Sequence, residues 1–120
     1  MNIQTTAHNL DMTPEIQSYL EKRLSVLEKF LKENENSNVH AVLSKDSNHH
    51  RHGDIFSAEV NIQIGGENVF AKTEQESLFA AIDIVKDEIA GSLRHRKDRK
   101  ETMFKKGHRQ VKQIMKGLKF

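Results

Sequence analysis

The stretch Ile55–Ile64 (IFSAEVNIQI) is the strongest constraint on how this chain can fold. Phe56, Ala58, Val60, Ile62 and Ile64 alternate there with Ser57, Glu59, Asn61 and Gln63. Successive side chains of an extended backbone point to opposite faces, so a period of two marks a strand with one buried and one wet face. Gly65-Gly66 follows, a dipeptide suited to a two-residue hairpin turn, and Val69–Lys72 returns as the partner strand. A sheet buried on one side needs a second layer, and the chain offers two amphipathic helices to supply it.

The first helix opens at Thr13-Pro14-Glu15. This places a hydroxyl cap, a proline at the first helical position and an early acid facing the helix dipole. Ile16, Leu20, Leu24, Leu27 and Leu31 then recur at helical spacing, with Tyr19, Val26 and Phe30 widening the stripe. Lys22 and Lys29 fall nearly opposite the leucines, and Arg23 beside them. The second helix is predicted to begin near Thr73–Ser77 and carries Leu78, Ile82, Val85, Ile89 and Leu93. Asn2–His8 and Val39–Lys45 read as two further strands, with a polar break, NENSN, ahead of the second. The order β-α-β-β-β-α predicts an α+β fold. It is a two-layer sandwich with both helices on one face of a four-stranded sheet. A length of 120 residues supports one core, assigned to residues 1–100. Residues 101–120 hold Val111, Ile114, Met115 and Leu118 at helical spacing but also two glycines and no partner face. They are expected to form a mobile basic tail with transient helix.

Charge is divided along the chain. Residues 1–93 carry 8 Lys/Arg against 15 Asp/Glu, a balance of −7, whereas residues 94–120 carry 11 against 2, a balance of +9. An acidic body with a concentrated basic end suits a polyanion, because each cation brought to a phosphate releases condensed counterions. The run RHRKDRK at 94–100 is the densest part, which makes nucleic acid the leading partner and an anionic membrane surface the second. There is no cysteine, hence no disulfide or thiol chemistry. The first ten residues have no basic-then-apolar pattern of a secretory signal, and the longest apolar run, Leu78–Ile82, is far too short to span a bilayer. No phosphate-binding loop, dinucleotide glycine pattern or nucleophile elbow occurs, so no enzyme, catalytic residue or cofactor is expected. His49, His50 and His52 with Asp54 form the one tempting metal constellation, but ligands this close in a polar loop seldom close a tetrahedron, so the loop reads as solvated. His8 and His40 read as ordinary sheet positions, and Asp83 with Asp87 as surface charge on a helix.

The ordered set of TAHNLDMTPEIQSYLEKRLSVLEKF (6–30), VHAVLSKD (39–46), the GGE turn (65–67) and TEQESLFAAIDIVKDEIAGSLRHRKDRK (73–100) resembles the ribosome hibernation promoting factor and ribosome-associated inhibitor family. The segment ESLFAAID (76–83) is close to that family's signature. The resemblance implies a cytoplasmic protein that binds the 30S subunit and 70S ribosome through 16S rRNA. It would occupy the channel for mRNA and tRNA, silencing translation in stress or stationary phase. It also implies the β-α-β-β-β-α fold, which at the level of fold alone is similar to a double-stranded RNA-binding domain with an added first strand. A monomer off the ribosome is expected, with no membrane and no small-molecule substrate. Members are also labelled modulators of an alternative sigma factor, a second class of function. The family's RNA-facing positions map onto Lys22, Arg23, Lys29, Arg94, Arg96 and Lys97, with Lys86 as a further candidate. Arg99 and Lys100 complete the basic run. Glu88 departs from the lysine common there and is expected to weaken the middle of the basic stripe.

Overall fold

The computed structural model describes residues 1–32, 35–46 and 53–117, with residues 104–117 as backbone alone. The elements are β1 (Asn2–His8), α1 (Pro14–Ser25), a 3₁₀ segment (Val26–Phe30), β2 (Ser37–Asp46), β3 (Ile55–Ile64), β4 (Glu67–Gln75) and α2 (Leu78–Gly117). The sheet order is β1-β2-β3-β4. β1 runs parallel to β2 across the α1 crossover, and the other two pairings are antiparallel. This is the expected α+β sandwich.

Alternation in β3 sets the two faces. Ile62 sits between Val39 and Val69, and Val60 between Ala41 and Ala71, all on the helix side. Leu20, Leu24 and Leu27 meet Leu78, Ile82, Val85, Ile89 and Leu93 above that face, and every one is buried. On the reverse face, cross-strand rows run Asn2–Asn38–Gln63–Asn68 and Gln4–His40–Asn61–Phe70. No helix among the described residues covers these rows.

Local chemistry fixes the ends. The Thr13 side chain accepts from the Ile16 N–H, and Pro14 opens α1. After Ser25 the helix tightens to three residues per turn, which eclipses side chains three apart. Leu27 and Phe30 therefore share the inward side, while Val26, expected in the stripe, is 44% exposed. Gly65 and Gly66 have φ of 51° and 81°, the left-handed pair that a type I′ hairpin turn demands. β4 continues to Gln75, so α2 begins only at Leu78, with Ser77 accepting from the Ala80 N–H. At its other end α2 does not stop near residue 100: its backbone remains helical through Gly117, where a transient helix was expected. Residues 118–120 of that segment lie outside the described residues.

Candidate nucleic-acid interface

α1 and α2 lie side by side and point the same way, because Tyr19 on α1 meets Phe79 and Asp83 in the first turns of α2, while Phe30, at the end of the 3₁₀ segment that continues α1, meets Arg94 further along α2. The early contact is polar and aromatic. Tyr19 Oη donates to the Asp83 carboxylate at 2.8 Å, and Arg23 Nε pairs with the same group at 3.1 Å. The Phe79 ring meets Tyr19 edge-on at 4.8 Å between centroids, and the Arg23 guanidinium stands 5.1 Å from the Tyr19 centroid. Asp83 is thus a clamp between helices, a closer engagement than the free surface charge expected of it.

The late contact gathers positive charge. Lys29 Nζ lies 5.2 Å and the Arg94 guanidinium 5.6 Å from the Phe30 ring centroid, close enough for cation–π attraction to hold both heads in place. Beside Phe30 a cavity of about 340 Å³ is lined by Leu31, by Lys32, Arg96, Lys97 and Lys100, and by the acids Glu35 and Glu101. Lys32 was not singled out from sequence. Its signal was its place one residue beyond the leucine stripe, where the chain turns back toward α2.

The nine cations named from sequence divide into two groups. Lys22, Lys29, Arg94 and Lys97 are exposed and Lys100 half-buried, and among the described residues none of the five has a carboxylate partner within ion-pair distance. The other four are engaged. Arg23 is held by Asp83, Lys86 by Asp87, and Arg99 by Glu67 at 3.3 Å. Arg96 is not a surface cation at all: its side chain is 6% exposed, with Nη2 2.5 Å from Glu35 Oε1 and Nε 2.6 Å from Glu67 Oε2. The reason is periodic. Arg96 follows Leu93 by three residues and Ile89 by seven, so it continues the buried stripe of α2 over the end of the core. Its hydrogen bond holds the Glu35 and Glu67 carboxyls below the usual carboxylate range, and the bond to Glu35, first among its own causes, raises Arg96. Gly65 packs against this pair, its Cβ position 3.6 Å from Arg96 Nη2 and from Glu35 Oε1.

Glu88 is exposed and two residues from Lys86, so it faces the flank of α2 opposite the one that carries the cations toward α1. His49, His50 and His52 lie outside the described residues, while Asp54 pairs with Lys45 at 3.4 Å. His40 Nε2 is 3.0 Å from the Thr6 hydroxyl. No helix among the described residues is long and apolar enough to cross a membrane.

The family model described as "Sigma 54 modulation protein / S30EA ribosomal protein" matches residues 3–101. The chain belongs to this family. It is 27% identical over 99 residues to a ribosome hibernation promoting factor of Klebsiella oxytoca, covering 82% of this chain and 96% of that one. A ribosome hibernation promoting factor of Azotobacter vinelandii is 24% identical, covering 82% and 85%. Among solved structures, the N-terminal domain of Thermus thermophilus Protein Y aligns with a TM-score of 0.68 and 26% identity, covering 79% of this chain and 98% of that domain. A ribosomal subunit interface protein from Coxiella burnetii aligns at 0.66 and 18% identity, covering 82% and 99%, a likeness of fold.

Proposed function

We propose that this domain binds the small ribosomal subunit through 16S rRNA. It fills the channel for mRNA and tRNA and silences translation by occupancy, promoting ribosome hibernation in stress or stationary phase. The observation that carries this reading is the cluster of Lys29, Arg94, Lys97 and Lys100 beside Phe30, with Lys22 earlier on α1: among the described residues none is within ion-pair distance of a carboxylate, and Lys29 and Arg94 are held against the Phe30 ring. Cations held in place before binding lose little conformational freedom on meeting a phosphate backbone. Arg23, Lys86 and Arg99 contribute after exchanging a carboxylate for a phosphate, and Arg96 supports the lobe from within. The mechanism needs no bond-making chemistry: a folded body in the channel excludes its ordinary occupants. The protein acts in the cytoplasm, as a monomer when off the ribosome.

Sedimentation of a lysate tests the reading. The protein should travel with small subunits and whole ribosomes and leave them at high salt. Recovery with a sigma factor in ribosome-free fractions would replace this reading with the second one. The slope of affinity against salt then tests the residues. Each phosphate contact contributes a slope of about 0.7–0.9, so changing Arg94, Lys97 and Lys100 to Ala should lower it by about two to three units. Changing Arg23 and Arg99, which already hold carboxylates, should lower it by less than about one unit. Equal effects from the two sets would refute the division between free and engaged cations.

A further inference from the structure

The reverse face of the sheet has an unusual composition. At its hairpin end, Asn61 on β3 lies between His40 and Phe70, and the next row sets Asn38, Gln63 and Asn68 side by side. Asn is disfavoured in strands, so a concentration of carboxamides here is not explained by sheet propensity. Phe70 is 56% exposed in the midst of them. A groove of about 390 Å³ runs over Asn2, Gln4, Asn38, His40, Asn61 and Gln63, on the β1 side of Phe70, with no Lys, Arg, Asp or Glu in its lining. Asn61 Oδ1 is shielded from solvent and accepts no hydrogen bond. Within the described residues, no hydrogen bond between side chains ties Asn38, Gln63 or Asn68 to a neighbour.

We propose that this amide-bearing end of the sheet is a platform for unpaired RNA bases. The ligand is argued from its chemistry. A carboxamide presents a donor and an acceptor together, which matches the paired donor and acceptor edges of a base, and an exposed ring offers a face on which a base stacks. An uncharged groove does not attract phosphates, so the backbone must be held elsewhere. It can be held nearby, since Glu67 at the start of β4 bonds Arg96 and Arg99 of α2, which puts the hairpin beside the cationic lobe. Lys72, two residues after Phe70 on the same face of β4, is exposed, with Glu59 opposite it on β3. A strand leaving the lobe around the Gly65-Gly66 turn reaches the amides without crossing the acidic body. The inference rests on the ribosomal reading and extends it: the helix face holds backbone, and the opposite face reads bases.

The experiment measures fluorescence anisotropy of a labelled, mixed-sequence single-stranded RNA, and of an abasic strand of equal length, with the full chain. Phe70→Ala should weaken binding to the base-bearing strand about tenfold, within the range found for loss of one stacked base, and leave the salt slope unchanged. Phe70→Tyr should restore it. Asn61→Ala should weaken it to a smaller degree, and the abasic strand should be indifferent to all three changes. Phe70 is mostly exposed, so the variants should keep the wild-type melting temperature, which is checked alongside. Equal affinity of wild type and Phe70→Ala for the base-bearing strand would overturn the proposal. So would loss of ribosome binding with undiminished binding to naked RNA, because the face would then be docking a protein. If wild type fails to travel with ribosomes, the underlying reading has failed; if it travels and only these variants are silent, the platform alone has failed.

Discussion

Replacing Arg96 with Met tests whether this arginine builds the fold or touches RNA. Met keeps a long apolar side chain over the end of the core and deletes the guanidinium. Glu35, whose side chain is 13% exposed, then keeps one hydrogen bond from the Lys32 N–H and no cation in contact. Removing one partner of a buried ion pair costs about 3–5 kcal/mol, and the residual access of Glu35 to water places this site near about 3 kcal/mol. That corresponds to a fall of about 10–20 °C in melting temperature for a domain of this size. The pH dependence has a definite sign. The folded Glu35 and Glu67 carboxyls titrate below their ordinary value, so their contribution is complete above the unfolded carboxylate pKa of about 4.3 and is lost as pH falls through the folded values. The gap between wild type and Arg96→Met should therefore narrow below about pH 4, where the unfolded chain takes up protons that the paired carboxyls of the wild-type fold resist. Urea unfolding at neutral and acidic pH measures both quantities. A loss under about 1 kcal/mol at pH 7, or a loss unchanged by acid, would refute the burial argument. So would a fall in ribosome affinity, measured well below the melting temperature, that matches the effect of Arg94→Ala.

Three further outcomes are expected. Gly65→Ala should cost about 1–2 kcal/mol in urea unfolding, because the new methyl meets only ordinary contacts at 3.6 Å while φ of 51° strains any residue with a β-carbon. Glu88→Lys should change ribosome affinity by less than about twofold near physiological salt, where charges on opposite flanks of a helix are separated by more than the Debye length of about 8 Å; a tenfold gain would place that flank against RNA. Deleting residues 101–120 should weaken binding moderately and mainly at low salt, less than Arg94→Ala with Lys97→Ala, as read by sedimentation across a salt series.

The sequence was most legible where a period and a stop signal coincide. β3 has the bounds read from its alternation, since the glycine pair ends it and a one-residue slip would turn Ile62 and Val60 outward. β1 likewise spans the residues expected of it. Every leucine-type residue at 78, 82, 85, 89 and 93 is buried because the helical period alone decides that face. Legibility failed where residue type and period disagreed. Arg96 stands on the core stripe by spacing, yet its charge caused it to be read as a surface cation; only the carboxylates of Glu35 and Glu67, brought from distant parts of the chain, make its burial tolerable. Ion pairing hid the rest of the site. Nothing local to Arg23 says that Asp83 will reach it, since that contact exists only once the helices pack.

The same pairing explains how the charges act together. Asp83, Asp87 and Glu67 each engage a cation on α1 or α2, so the surface with free positive charge contracts toward Phe30, where Lys29, Lys32, Arg94, Lys97 and Lys100 remain. Residues up to 93 are net acidic and are repelled by a polyanion, while the lobe and the continuation of α2 are drawn to it. On the ribosomal reading proposed above, the approach is end-on, with the lobe where Phe30 meets Arg94 and the continuation of α2 beyond it leading. Glu59, Glu74 and Asp46 occupy the part of the reverse face away from the hairpin. An end-on approach keeps these acids distant from phosphate while bringing the hairpin, and the amides behind it, to the RNA. Orientation thus follows from the order of charge along the chain before any base is read.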